Sequence, residues 1–183
     1  MKEQVKHVTY RAAEDTFLLA DVLSRYRFGR ALEIGVGEGY VTVELAKRSG
    51  RVVGTDIDIV SIRKTLQRLR DVKLENVDLI VCDGAKAIQL MFDICALNPP
   101  YLPGDIADIT FAGGKEGIET TKEWFDQCVN LLSQDGRIVF VASDLSNIRG
   151  LVSYINEKGF ETKILARKKF FFEEISVIEA RKA

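Results

Sequence analysis

One histidine in 183 residues, His7, leaves no basis for a Ser-His-Asp or Cys-His nucleophile system. The three cysteines, Cys82, Cys95 and Cys128, are odd in number and lie far apart, so neither a disulfide framework nor a C-x-x-C pair is indicated. The ligand spacing of a metal site is missing as well. Cys82 and Cys95 fall in apolar, strand-like runs, where reduced core thiols are usual, and this suits a cytoplasmic protein. A basic surplus is also absent: 26 Lys and Arg face 27 Asp and Glu, for a net charge of -1. Proteins that grip many phosphates carry a clear positive excess, so nucleic acid is disfavoured as a partner. The local clusters Arg63-Lys64 with Arg68 and Arg70, and Arg167 to Lys169, read as solvated faces. No apolar run approaches the roughly 18 residues of a membrane span. The opening MKEQVKHVTYRAAED has no apolar stretch of a secretory signal. Proline is scarce, and Pro99, Pro100 and Pro103 all sit in one loop.

What remains is an ordinary globular composition, 46% hydrophobic and 29% charged, without linker or repeat. One domain over residues 1–183 is expected, with residues 1–29 forming an N-terminal segment and a helix over the site. The spacing predicts a helix over 14–24, with its inward stripe on Phe17, Leu18, Ala20 and Asp21. Strand ALEIG (31–35), a helix after Gly39, strand RVVGTDI (51–57) and a helix with Ile59, Ile62, Leu66 and Leu69 on one face follow. Strands VDLIVCD (77–83) and MFDICALN (91–98) precede a long helix over 118–132. Strand 136–143, a helix near 147–158 and strands 160–167 and 170–180 complete the chain. Alternating strands and helices imply a parallel sheet covered on both faces. The last two strands are joined too closely for a crossover, so they form an antiparallel hairpin at one edge. The fold class is therefore α/β, Rossmann-like, with a seven-stranded, mostly parallel sheet.

In such sheets ligands bind beyond the carboxyl ends of the strands. Four consecutive strands here end in residues with chemistry to offer. The first runs into Glu33-Ile34-Gly35-Val36-Gly37-Glu38-Gly39, the second ends at Asp56, the third at Asp83 and the fourth at Asn98-Pro99-Pro100-Tyr101. Gly35, Gly37 and Gly39 permit a tight turn and close approach of a ligand. The dinucleotide fingerprint is G-x-G-x-x-G; here the third glycine comes one residue early and Glu33 precedes the first. An acid there would repel a pyrophosphate but suits an ammonium or sulfonium charge, which disfavours a nicotinamide dehydrogenase. Asp56 is placed to accept from ribose hydroxyls, and Asp83 from an adenine amino group, although either alone also fits a helix N-cap. Trp124 and Phe125 on the long helix read as core.

The tetrapeptide Asn98 to Tyr101 suits transfer to a planar nitrogen. An amide nitrogen is a poor nucleophile because its lone pair is delocalised. Two acceptors aimed at its hydrogens, the Asn98 side-chain oxygen and the Pro99 carbonyl, favour the positive charge that grows during attack. Successive prolines hold that carbonyl rigidly, and Tyr101 offers a flat face for stacking.

On these residues the chain resembles class I methyltransferases of the HemK type, and within them the short branch of eukaryotes and archaea. Tyr10-Arg11-Ala12-Ala13-Glu14-Asp15-Thr16-Phe17 is similar to the Y-x-P-A-E-D-[ST]-F segment of that branch, with Ala12 in place of proline. Gly113-Gly114-Lys115-Glu116-Gly117 is similar to its G-G-x-[DE]-G stretch. The resemblance implies S-adenosylmethionine as cofactor and S-adenosylhomocysteine as product, without a metal. It implies cofactor contacts at Thr16, Glu33, Gly35, Gly37, Gly39, Asp56 and Asp83. Asn98, Pro99, Pro100 and Tyr101 then hold the substrate, with Asn98, Pro99 and Tyr101 serving catalysis. The implied substrate is the glutamine of the Gly-Gly-Gln loop in a class I release factor. A small zinc-binding activator subunit is the implied partner, and an apolar edge strand at 77–83 without lysine or proline fits such a partner by strand addition. The competing expectations are an N6-adenine DNA or N2-guanine RNA methyltransferase and a non-catalytic S-adenosylmethionine-binding protein.

Overall fold

Parallel strands buried on both faces need apolar side chains pointing both ways, and this requirement orders the whole molecule. The computed structural model describes residues 14–104 and 113–183. His7 and the Tyr10 to Ala13 part of the N-terminal motif lie outside the described residues. The elements are α1 (Glu14–Leu23), β1 (Phe28–Ile34), α2 (Tyr40–Arg48), β2 (Ser49–Asp56), α3 (Ile59–Asp71), β3 (Val77–Val81) and β4 (Phe92–Leu97). They continue with α4 (Glu119–Val129), β5 (Leu132–Ser143), α5 (Ile148–Glu157), β6 (Phe160–Lys169) and β7 (Glu174–Lys182).

The seven strands lie in the order β3-β2-β1-β4-β5-β7-β6. The first five in this row are mutually parallel, whereas β7 runs antiparallel to both β5 and β6. The expected architecture is therefore the observed one, including the hairpin at one edge and β3 at the other. Alternate residues feed two cores. Ala31, Val52, Ile94, Ala96, Val139 and Val141 face α1, α2 and α3. Leu32, Ile34, Val53, Cys95, Leu97, Ile138 and Phe140 face α4 and α5. Phe92, Phe125 and Phe140 are fully buried, each contributing ~1.5–3 kcal/mol of transfer free energy. Cys95 on β4 and Cys128 on α4 are both buried in the second core, while Cys82 stays partly exposed beyond β3. Phe125 is core as expected.

Three helical and strand boundaries depart from the expected pattern for identifiable reasons. The buried face of α1 is Asp15, Thr16, Leu19, Val22 and Leu23, while Phe17 and Asp21 point outward. Phe17 instead meets the Tyr40 ring edge-on at 5.3 Å. On α3 only Ile62 and Leu69 of the apolar stripe are buried; Ile59 and Leu66 remain exposed. The Phe170 to Glu173 stretch does not begin the last strand. It forms a turn closed by the Phe170 amide donating to the Glu173 carbonyl at 2.7 Å.

Candidate active site

The loop between β1 and α2 takes its shape from backbone conformations open to glycine. Gly35, Gly37 and Gly39 have φ of 77°, 51° and 79°, values that other residues rarely adopt. The Gly35 and Val36 amides donate to the Thr55 carbonyl at 2.8 and 3.0 Å, tying the loop to the end of β2. A Cβ at Gly35 would come within 2.8 Å of the Trp124 ring, and one at Gly39 equally close to Thr65. Those two glycines make room for protein packing. At Gly37 nothing lies within 4 Å of a built Cβ, so this is the position with an open face. From α3, Thr65 donates to the Gly37 carbonyl at 3.1 Å and Arg68 Nε to the Glu38 carbonyl at 2.6 Å. The Arg68 guanidinium also lies 3.7 Å over the Tyr40 ring.

Asp56 closes the loop from below. Its two oxygens accept from the Gly37 and Asp58 amides, both at 2.9 Å. The Ile57 amide is a third backbone donor to the same carboxyl. Burial pushes the Asp56 carboxyl above the usual range, with those backbone donors opposing it. Asp58 caps α3 through the Val60 and Ser61 amides. Glu33 is 3% exposed and accepts from Thr42 Oγ1 of α2 at 2.5 Å. Burial pushes its carboxyl up to about 8, with Asp56 adding to the rise. The sequence suggests a carboxylate waiting for a cation. At about 8, the buried acid is mostly neutral near pH 7. Asp83 stands beyond the end of β3, exposed and ion-paired with Lys86. The Cys82 amide donates to the Asp56 carbonyl at 2.9 Å, so Asp83 is beside Asp56 on the neighbouring strand tip.

β4 delivers Asn98 to the same edge of the sheet. The Asn98 Nδ2 donates to Thr16 Oγ1 at 3.1 Å. Thr16 in turn donates its hydroxyl proton to Asp15 Oδ1 at 3.3 Å, and Tyr101 donates to Asp15 Oδ2 at 3.3 Å. Because the single hydroxyl proton of Thr16 is committed to Asp15, only lone pairs face Asn98, and this sets the amide orientation. The Asn98 Oδ1 is buried and has no hydrogen-bond partner among the described residues. Asp15, 1% exposed, was not among the expected site residues, although it adjoins Thr16 in the motif. Its signal was its place beside Thr16 in that motif.

The second glycine-rich stretch braces this loop from behind. The Gly113 amide donates to the Leu102 carbonyl at 2.8 Å, and the Gly104 amide to the Gly114 carbonyl at 3.0 Å. A Cβ at Gly113 would lie 2.5 Å from the Pro100 carbonyl oxygen. One at Gly117 would collide with the Tyr101 carbonyl oxygen. The two motifs therefore pack backbone against backbone.

Residues 11–172 match the family model described as the methyltransferase small domain. The chain belongs to that family. A provisionally named protein N5-glutamine methyltransferase of Methanocaldococcus jannaschii is 32% identical over 181 residues, covering 93% of this methyltransferase and 90% of its own length. The eRF1 methyltransferase catalytic subunit mtq2 of Schizosaccharomyces pombe is 25% identical, covering 92% and 87%. Among solved structures, the E. cuniculi Mtq2-Trm112 complex, described as responsible for methylating the eRF1 termination factor, superposes with a TM-score of 0.79. Its aligned chain is 25% identical and covers 95% of this methyltransferase and 98% of itself.

The burial of Glu33 makes the ligand-free protein sensitive to pH. The folded-state value of about 8 lies above the ordinary glutamate value of 4.5, so the folded form binds the extra proton. Stability from this group is complete below about pH 4.5 and is lost as pH rises through about 8, with a slope of up to about 1.4 kcal/mol per pH unit. Glu33→Gln should flatten that decline between about pH 5 and 8. Denaturant unfolding of both proteins at several pH values measures it; parallel curves would refute the assignment.

Proposed function

We propose that this methyltransferase transfers a methyl group from S-adenosylmethionine to the side-chain amide nitrogen of glutamine in the Gly-Gly-Gln loop of a class I release factor. The observation that carries this reading is the buried Asn98 Oδ1, an acceptor without a partner among the described residues, beside a nitrogen held by Thr16. A buried acceptor left unmade costs about 1–3 kcal/mol, and a primary amide that donates to it removes that cost. The names of the aligned relatives point to the same acceptor. A release factor as substrate also implies a cytoplasmic setting. Among the described residues no helix is long and apolar enough to cross a membrane.

The residues fit the cofactor. Gly37 offers open backbone, Asp56 holds a carboxyl against the glycine loop, and Asp83 lies on the adjacent tip. Bound S-adenosylmethionine supplies an electrophilic methyl group on a sulfonium sulfur. Glu33 answers the cationic part of the ligand, since a positive charge lowers the pKa of a nearby acid. Asn98 Oδ1 and the Pro99 carbonyl accept from the two hydrogens of the glutamine amide. They orient the nitrogen lone pair and stabilise the positive charge that develops on nitrogen as the methyl–sulfur bond breaks, before one of those protons passes to water. Tyr101, steadied by Asp15, supports the planar amide. Thr16 positions Asn98 through its hydroxyl oxygen, and the second lone pair of that oxygen remains for the expected cofactor contact.

The free edge of β3 is the proposed seat of a small zinc-binding activator subunit. β3 pairs only with β2 among the described residues, and its sequence, VDLIV, has no lysine or proline to block strand addition. Val81, Ile57, Ile59 and Val60 are exposed around it. The Mtq2-Trm112 assembly supports a small partner of this kind.

The test is transfer of labelled methyl to a purified class I release factor and to its Gly-Gly-Ala version, with and without activator, alongside nucleic acid. Label on the glutamine version alone is expected; label on nucleic acid alone would establish the competing base-methylation reading. Asn98→Ala should lower kcat by about 10-fold to 100-fold while cofactor affinity changes little. Thr16→Val should do the same by releasing the Asn98 amide, and Asp56→Ala should weaken cofactor binding first. Equal losses of binding and turnover at Asn98 would sink its role. Val81→Asp should abolish association with the activator and leave the circular dichroism spectrum unchanged. A fully active enzyme prepared without any second protein would remove the activator from the account.

A further inference from the structure

The turn joining β6 and β7 carries a feature that the fold does not use. Its four residues run from Phe170 to Glu173, and the central pair, Phe171 and Phe172, is 92% and 84% exposed. The two rings meet edge-to-face, 4.8 Å apart. Central turn positions ordinarily hold glycine, asparagine, aspartate or proline. Two bare phenylalanines there add nothing to the core, and adjacent exposed aromatics mark an interaction site. The flanks are anchored. Phe170 packs on the core, Ser143 donates to Glu173 at 2.8 Å, and Lys168 is ion-paired with Glu14.

Topology places this tip on the rim of the active site. Ser143 at the end of β5 pairs with Ile175 at the start of β7, so the turn emerges at the carboxyl edge of the parallel strands, where β4 delivers Asn98. Glu14, which holds Lys168, directly precedes Asp15 and Thr16. In the strand order the hairpin lies two to three positions from β4, or about 10–15 Å at the usual strand spacing. β3 lies at the opposite end of the sheet, five to six positions away and about 24–29 Å distant. A small subunit seated on β3 leaves the tip uncovered. A protein whose glutamine lies against Asn98 must extend over this rim.

We propose that Phe171 and Phe172 are a docking point for the body of the release factor flanking its Gly-Gly-Gln loop. This rests on the release-factor reading above. The tip binds the acceptor protein without touching the reacting atoms, so it governs KM for intact protein and is silent for a peptide too short to reach it.

The test compares the full chain, with its activator if one is required, carrying Phe171→Ser and Phe172→Ser together. Methyl transfer is measured on intact release factor and on a short Gly-Gly-Gln peptide. KM for the intact protein should rise about 10-fold or more, with kcat, peptide kinetics and S-adenosylmethionine affinity unchanged. Equal losses on both substrates, or no loss on either, would overturn the proposal. Sedimentation and vesicle-binding arms cover the other occupants. A wild-type dimer that the double variant dissolves, or binding to phosphatidylcholine–phosphatidylserine vesicles that it abolishes, with unchanged KM for release factor, would also overturn it. Wild-type protein that methylates no release factor would instead overturn the underlying function and this docking role together.

Discussion

The proton of the Thr16 hydroxyl determines which way the Asn98 amide faces. Given to Asp15, it leaves oxygen lone pairs toward Asn98, and only the amide nitrogen can satisfy them. The Asn98 Oδ1 atom is then left buried without a hydrogen-bond partner among the described residues. The arrangement depends on three distant parts of the chain: the first turn of α1, the end of β4, and the glycine stretch that clasps the loop after it. None of these is close in sequence to the others. The sheet supplies the frame in which they meet, and the two cores on its faces make that frame rigid.

A second, electrostatic layer lies under the glycine loop. Glu33 and Asp56 are two acids on adjacent parallel strands, Glu33 opposite Gly54 and Ile34 opposite Thr55. Burial raises both, and Asp56 further discourages ionisation of Glu33. Asp56 receives three backbone donors and Glu33 only a hydroxyl, so the proton resides on Glu33. The cleft is thus less negative than its sequence implies.

Much of this was legible in the sequence because buried parallel strands write apolar runs in which both alternating positions must be filled. Residues 31–34, 52–55 and 94–97 show this directly. The closing hairpin followed from the short connection before β7, and the β3 edge from the usual strand order. The less legible features depended on long-range geometry. Local periodicity could not tell that α1 turns Asp15 and Thr16 inward to meet a loop more than eighty residues away. Nor could it tell that Ile59 and Leu66 face outward, or that Gly35 is small to admit the Trp124 ring. The FFF run looks like strand by composition, yet its turn is set by pairing of the flanking residues Lys169 and Glu174.

The cysteines carry a consequence of a different kind. Cys95 and Cys128 lie at 0% exposure where α4 covers β4, one strand residue pair before Asn98, whereas Cys82 is reachable from solvent. A thiol reagent therefore modifies Cys82 from the native state but reaches the other two only when the helix lifts from the sheet. The chain contains its own clock for that opening: the lag between the first thiol and the remaining pair reports how often the platform beneath the acceptor site comes apart.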